Sequence, residues 1–283
     1  MSEPLGQKEQ RKEVVKDIIL KLHQGLPVEE AKERFLKEVG SITSSQIAEI
    51  EQSLIQEGLS PEEIKKLCNV HVLLFESALK GATAVEQSPA HPVYLLKQEN
   101  REVEKLTASL KEWVTHRSRY ETGPWVEKVK EILLRLTGLD IHYTKKEQLL
   151  FPFLEQYGFI GPSKVMWMKD DEIRTLLKGA ITKIGALDRE ELVHTYLNPL
   201  IEEVEGMIFK EENILFPTSL EKLKVGDWME ILKESDEVGY AFIERPADTL
   251  TLIAELKRAV AVSYTHLRAH ETPEHLVCRL LLE

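Results

Sequence analysis

The sequence predicts an all-α protein, and three observations carry that prediction. Apolar residues recur at helical spacing from the first segment onward. The breaks between segments are short and rich in Gly and Pro. An eleven-residue phrase closing on Leu-Phe-Pro occurs twice, as HYTKKEQLLFP at 142–152 and MIFKEENILFP at 207–217.

Val14, Val15, Ile18, Ile19 and Leu22 make an i, i+3, i+4 stripe that stops at Gly25, which predicts a first helix. VEEAKERFLKEVG predicts a second and SSQIAEIEQSLIQEG a third. Ser60-Pro61-Glu62-Glu63 is a helix start, with a Ser cap, Pro in the first turn and Glu reaching back to the cap, and that fourth helix runs to about Leu79. GATAVEQSPAHP has small residues, two prolines and no stripe, so it reads as a linker. The expected organisation is a small N-terminal helical domain over 1–80 and a linker over 81–91.

Four long amphipathic segments follow. They run from Pro92 to about Thr115, from Gly123-Pro124 to near Pro152, from Gly161-Pro162 to near Gly185, and from near Asp188 to Pro217, with Pro199 kinking the last. Long helices joined by short breaks predict an antiparallel four-helix bundle over 92–220. In that bundle the two copies of the repeated phrase end helices that run parallel and diagonally opposed, which would bring Glu147 and Glu212 to one level of the core.

The composition narrows the function. The chain has 283 residues, 42% hydrophobic and 30% charged, with a net charge of −11. An acidic chain without a basic face argues against nucleic-acid binding. No apolar run approaches the roughly 18 residues of a membrane helix, and the N-terminus lacks an apolar signal core. The expected compartment is therefore the cytoplasm.

Bundle cores can hold metals between inward carboxylates and histidines. The candidates are His91 at the first bundle helix, His142 and Glu147 on the second, Asp170 and Asp171 on the third, and Glu211 and Glu212 on the fourth. Imidazole with several carboxylates suits iron, manganese or zinc, iron being favoured where positions stay open. His142 and Glu147 stand about 140° apart on an ideal helix. The duplicated Lys145 and Lys210 could instead neutralise the acids, leaving a metal-free scaffold. Cys68 and His71 share one stripe a turn apart and offer a second, weaker site, although a lone Cys on an apolar stripe is more often core. Val165-Met166-Trp167-Met168 reads as core packing, and His194 as a packed or surface residue.

HPVYLLKQEN, HYTKKEQLLFPFLEQYG, VMWMKDDEIRTLL and MIFKEENILFP resemble the hemerythrin-like (HHE) cation-binding family over roughly 86–220. QIAEIEQSLIQEGLSPEEIKKLCNVHVLLF resembles domain of unknown function 438. The resemblance implies that His91 and His142 match the family's first two histidines, and Glu147 and Glu211 or Glu212 its carboxylates. The helix-three histidine falls near Asp170 or Asp171, and the helix-four histidine on Met207. It implies a carboxylate-rich site for one or two non-heme iron ions, and a PAS sensor module after the bundle. Residues 221–261 are then expected to begin that C-terminal region. Residues 262–283, VSYTHLRAHETPEHLVCRLLLE, resemble a translated DNA-sequencing adaptor and are expected to be foreign to the protein.

The expected function is a metal-binding sensor or regulator responding to oxygen, redox state or small gases. The alternatives are an iron enzyme acting on peroxide or nitric oxide, with a catalytic role the less favoured, and a metal-free helical scaffold. Expected partners are the C-terminal sensor module and a second copy of the chain as a homodimer.

Overall fold

The computed structural model describes residues 5–39, 49–50, 52–55, 57 and 91–245. Cys68, His71, the helix expected at 60–79 and residues 246–283 lie outside them. The protein is all-α: among the described residues there is no strand, and no helix is long and apolar enough to cross a membrane.

The described helices are α1 (Leu5–His23), α2 (Val28–Glu38), α3 (Pro92–Thr115), α4 (Thr122–Leu136), α5 (Leu139–Lys145), α6 (Phe151–Gln156), α7 (Gly161–Lys183), α8 (Arg189–Leu192), α9 (Asn198–Lys210), α10 (Phe216–Lys222) and α11 (Val225–Val238). The chain divides into two compact units. The first comprises residues 1–84, 158–172 and 203–221; the second comprises 85–157, 173–202 and 222–283.

In the first unit, the predicted stripe of α1 is the buried one: Val15, Ile18, Ile19 and Leu22 are covered, as are Ala31 and Phe35 of α2. Arg34 ties the two helices by reaching Asp17 at 2.7 Å. Gly161 starts α7 where a Cβ would meet Gln52 Cα at 3.1 Å and Ile55 Cδ1 at 3.0 Å, and the Gln52 amide donates to Gly158 O at 2.6 Å. The glycine is what allows that approach.

In the second unit, α3 buries Leu95, Leu96, Val103, Leu106, Leu110 and Val114, and α4 buries Trp125, Val129, Ile132, Leu133 and Leu136. Trp125 donates its indole N–H to Trp113 O at 2.9 Å, which satisfies the polar atom of a fully buried ring. The segment expected as one helix from 123 to 152 is interrupted at Thr137–Gly138. The Phe242 ring occupies the space a Cβ on Gly138 would need, 2.9 Å away.

The Leu-Phe-Pro phrases do not end helices, which corrects the sequence expectation. A π turn spans Lys146–Leu150 and a second Glu211–Leu215, at the same register of the repeat, and the chain continues helically to Gln156 and to Lys222. A third π turn, Val193–Leu197, precedes Pro199. In each, the residue before the proline donates to a carbonyl five residues back: Phe151 to Lys146, Phe216 to Glu211 and Asn198 to Val193. A proline inside an α-helix lacks its N–H, and its ring collides with the carbonyl four residues earlier. Widening that turn by one residue moves the carbonyl aside, so the helix bulges where it would otherwise break.

Candidate functional site

The second unit has a buried ionic centre built from α3, α5 and the chain after α11. Glu99 occupies a core position of the α3 stripe and is 0% exposed. Its Oε2 lies 2.7 Å from His142 Nδ1. Its Oε1 accepts from the Lys145 ammonium and from the Ala241 backbone N–H at 2.8 Å. His142 and Lys145 are three residues apart on α5, so they share a face. Burial alone would raise the Glu99 carboxyl, but the hydrogen bond from His142 and the charges of His142 and Lys145 outweigh it and hold Glu99 below the usual range. Burial draws Lys145 below its ordinary value, against the pull of Glu99. An ionised Glu99 only accepts, so His142 carries its proton on Nδ1.

Glu147 belongs to a different arrangement. Its two oxygens take Arg174 in a bidentate pair at 2.7 and 2.9 Å, and Arg174 also reaches Asp140 at 2.9 Å. The Arg174 guanidinium lies 5.6 Å from the centroid of the buried Tyr143 ring and the Lys146 ammonium 4.4 Å from it. His91 caps α3: its Nδ1 accepts the Val93 N–H at 3.2 Å, and its ring rests 4.7 Å from that of Trp228. Burial pushes His91 down to about 4, so it is neutral at physiological pH.

The structure thus gives His91, His142 and Glu147 three separate partners. Asp170, Asp171, Glu211 and Glu212 belong to the first unit, where Asp170 and Glu211 are fully buried, Asp171 is exposed and Glu212 half-buried. There Lys169 spans Glu203 at 2.7 Å and Glu172 at 3.1 Å. The sequence reading missed Glu99, Arg174 and Lys169. Met166 and Val165 are core as expected, but Trp167 is 45% exposed. His194 is at the surface.

Among the described residues, buried charge is matched inside each unit. The second unit buries Glu99 and Glu147 with Lys145 and Lys146; the first buries Asp170 and Glu211 with Lys169 and Lys210. Among the described residues, no group of three or more His, Cys, Asp or Glu has metal-holding geometry. Among the donors of the second unit, His142 carries a carboxylate on Nδ1, the arrangement that orients metal-binding histidines. Glu147 fits only once Arg174 gives way.

Residues 91–219 match the hemerythrin HHE cation binding domain, and residues 15–81 match a family of unknown function, DUF438. No curated protein matches the chain.

Proposed function

We propose that the chain is a non-catalytic regulatory protein whose HHE domain binds a cation through His142, with iron the expected ion and manganese or zinc the alternatives. The buried Glu99–His142 pair carries this reading. A carboxylate wholly removed from water costs several kcal/mol unless paired, and its partner here is an imidazole, the side chain that most often ligates metals. The pair fixes the tautomer and the ring direction before any ion arrives. A bound ion would supply Lewis acidity and, as iron, a redox couple through which oxygen, small gases or redox state could act on a cytoplasmic protein. Arg174 on Glu147 and Lys145 on Glu99 hold the acids when no ion is bound.

The one-to-one matching of buried acids with buried lysines among the described residues favours a second reading, a metal-free scaffold in which ammonium groups do the work of the cation. Metal analysis of protein purified under anaerobic conditions and dialysed against iron, manganese or zinc separates the two. The cation reading expects close to one ion per chain in the parent, none in His142→Ala, and a rise in melting temperature with metal in the parent alone, since a ligand of the folded state adds stability by mass action. Equal metal content in parent and His142→Ala, or none in either, sinks it. Turnover of peroxide or nitric oxide by loaded protein would move the assignment to an enzyme.

A further inference from the structure

The short segment after α11 is built as though it had to reach Glu99. Gly239 ends the helix at φ +101°, a conformation glycine adopts at little cost. Tyr240 lays its ring 5.0 Å from the Lys145 ammonium. Ala241, 1% exposed, donates its N–H to Glu99 Oε1. Phe242 has φ +65°, where a bulky residue is strained, and its ring covers Gly138 at the α4–α5 junction. A strained backbone persists only where its surroundings over-determine it. Here the surroundings are a charged acceptor on one side and the missing Cβ of Gly138 on the other.

We propose that residues 239–243 form a latch whose closure is coupled to the buried Glu99–His142–Lys145 centre. The Glu99 carboxylate is the shared element. One oxygen meets His142, and the other meets both Lys145 and the latch, so a rearrangement of either side chain withdraws the acceptor that holds Ala241. Once released, Phe242 can leave its strained conformation, which opposes re-closure. The coupling runs both ways: opening the latch removes one of the donors that fix the carboxylate, and so must change the environment of His142. The inference stands on contacts within the second unit and does not depend on a bound ion.

Amide hydrogen exchange of Ala241, read in the full chain together with the 15N shifts of the His142 ring, tests it. Glu99→Gln keeps an acceptor oxygen but removes its charge. Gly138→Ala puts a methyl group into the Phe242 ring while leaving every buried charge in place. In both, Ala241 is expected to exchange roughly tenfold faster or more, with α3 and α5 still protected. In Gly138→Ala the His142 ring shifts are also expected to move. Should Glu99→Gln fail to fold, Gly138→Ala decides alone. Unprotected exchange at Ala241 in the parent, unchanged exchange in Gly138→Ala, or a freed latch with an unmoved His142 ring would each overturn the proposal.

Discussion

Glu99 decides more than any residue singled out by the repeated phrase. It lies on the same face as Leu95, Leu96, Val103, Leu106 and Leu110, so an acid stands in an apolar stripe. Removing Lys145 tests how much that placement costs. Lys145→Met leaves the buried carboxylate with the imidazole and one amide, and is expected to cost about 3–5 kcal/mol in chemical denaturation, the range for breaking a buried pair by deleting one partner. A loss below about 1 kcal/mol, typical of exposed pairs, would show that the centre is solvated. The stripe around Glu99 was legible in the sequence and held the clue. The reading passed over it because the charge sits in the polar run Gln98-Glu99-Asn100-Arg101-Glu102, where an inward acid is not distinguished from its polar neighbours by sequence. His142 stood out because it has no counterpart in the second copy. Arg174 could not be anticipated as the partner of Glu147, since 27 residues separate them and only the fold brings them together.

At the scale of elements, existence was easier to read than continuity. Helical periodicity located α1, α2, α3 and α7, because an apolar stripe at 3.6-residue spacing survives any choice of ends. Proline was read as a stop in the repeated phrase, whereas the helix absorbs it by widening one turn, and sequence spacing alone does not choose between those responses. Close approaches escaped notice for a related reason: a glycine in a helix does not announce its neighbour. Gly179 faces Tyr196 so closely that a Cβ would lie 2.4 Å from the ring. In an open helix, Gly→Ala gains about 1 kcal/mol. Gly179→Ala should instead lose stability, overpacking costing about 1–3 kcal/mol. Gly226, in the first turn of α11 with nothing near its would-be Cβ, should show the opposite sign, a gain of up to about 1 kcal/mol when changed to Ala. Urea midpoints of the two variants against the parent check the pair, and equal signs would contradict the geometry.

The whole molecule should be sensitive to acid in two stages. His91 has its folded pKa pushed down to about 4 by burial, below its ordinary 6.5. The unfolded chain therefore takes up that proton first, and stability falls as pH drops from the ordinary value toward the folded one. The full difference amounts to about 3 kcal/mol. Glu99 acts lower on the scale. Its folded pKa lies below the ordinary carboxylate value, so its contribution is present above that value and lost as pH falls through the folded pKa. Unfolding free energies from pH 7 to pH 4 should decline in the parent and decline less in His91→Asn, which keeps an acceptor at the cap without a titrating ring. Identical slopes would mean that His91 is hydrated. Both stages work in one direction because the buried histidine is kept neutral and the buried acid ionised.

The three π turns also bear on how this chain tolerates change in length. A widened turn is one extra residue held within an otherwise continuous helix, and each is tied to the proline that follows it. Deleting the exposed Gln148 would force Pro152 into a regular α-turn, where its ring and the preceding carbonyl collide. Replacing Pro152 by Ala alone would remove the reason for the widening while leaving the surplus residue. Made together, the deletion and the replacement give an unbroken α-helix whose flanks keep their phase, so His142 and Lys145 would still face Glu99. Two lesions that each harm the fold should therefore rescue one another, a form of epistasis that a scan of substitutions at constant length would never reveal.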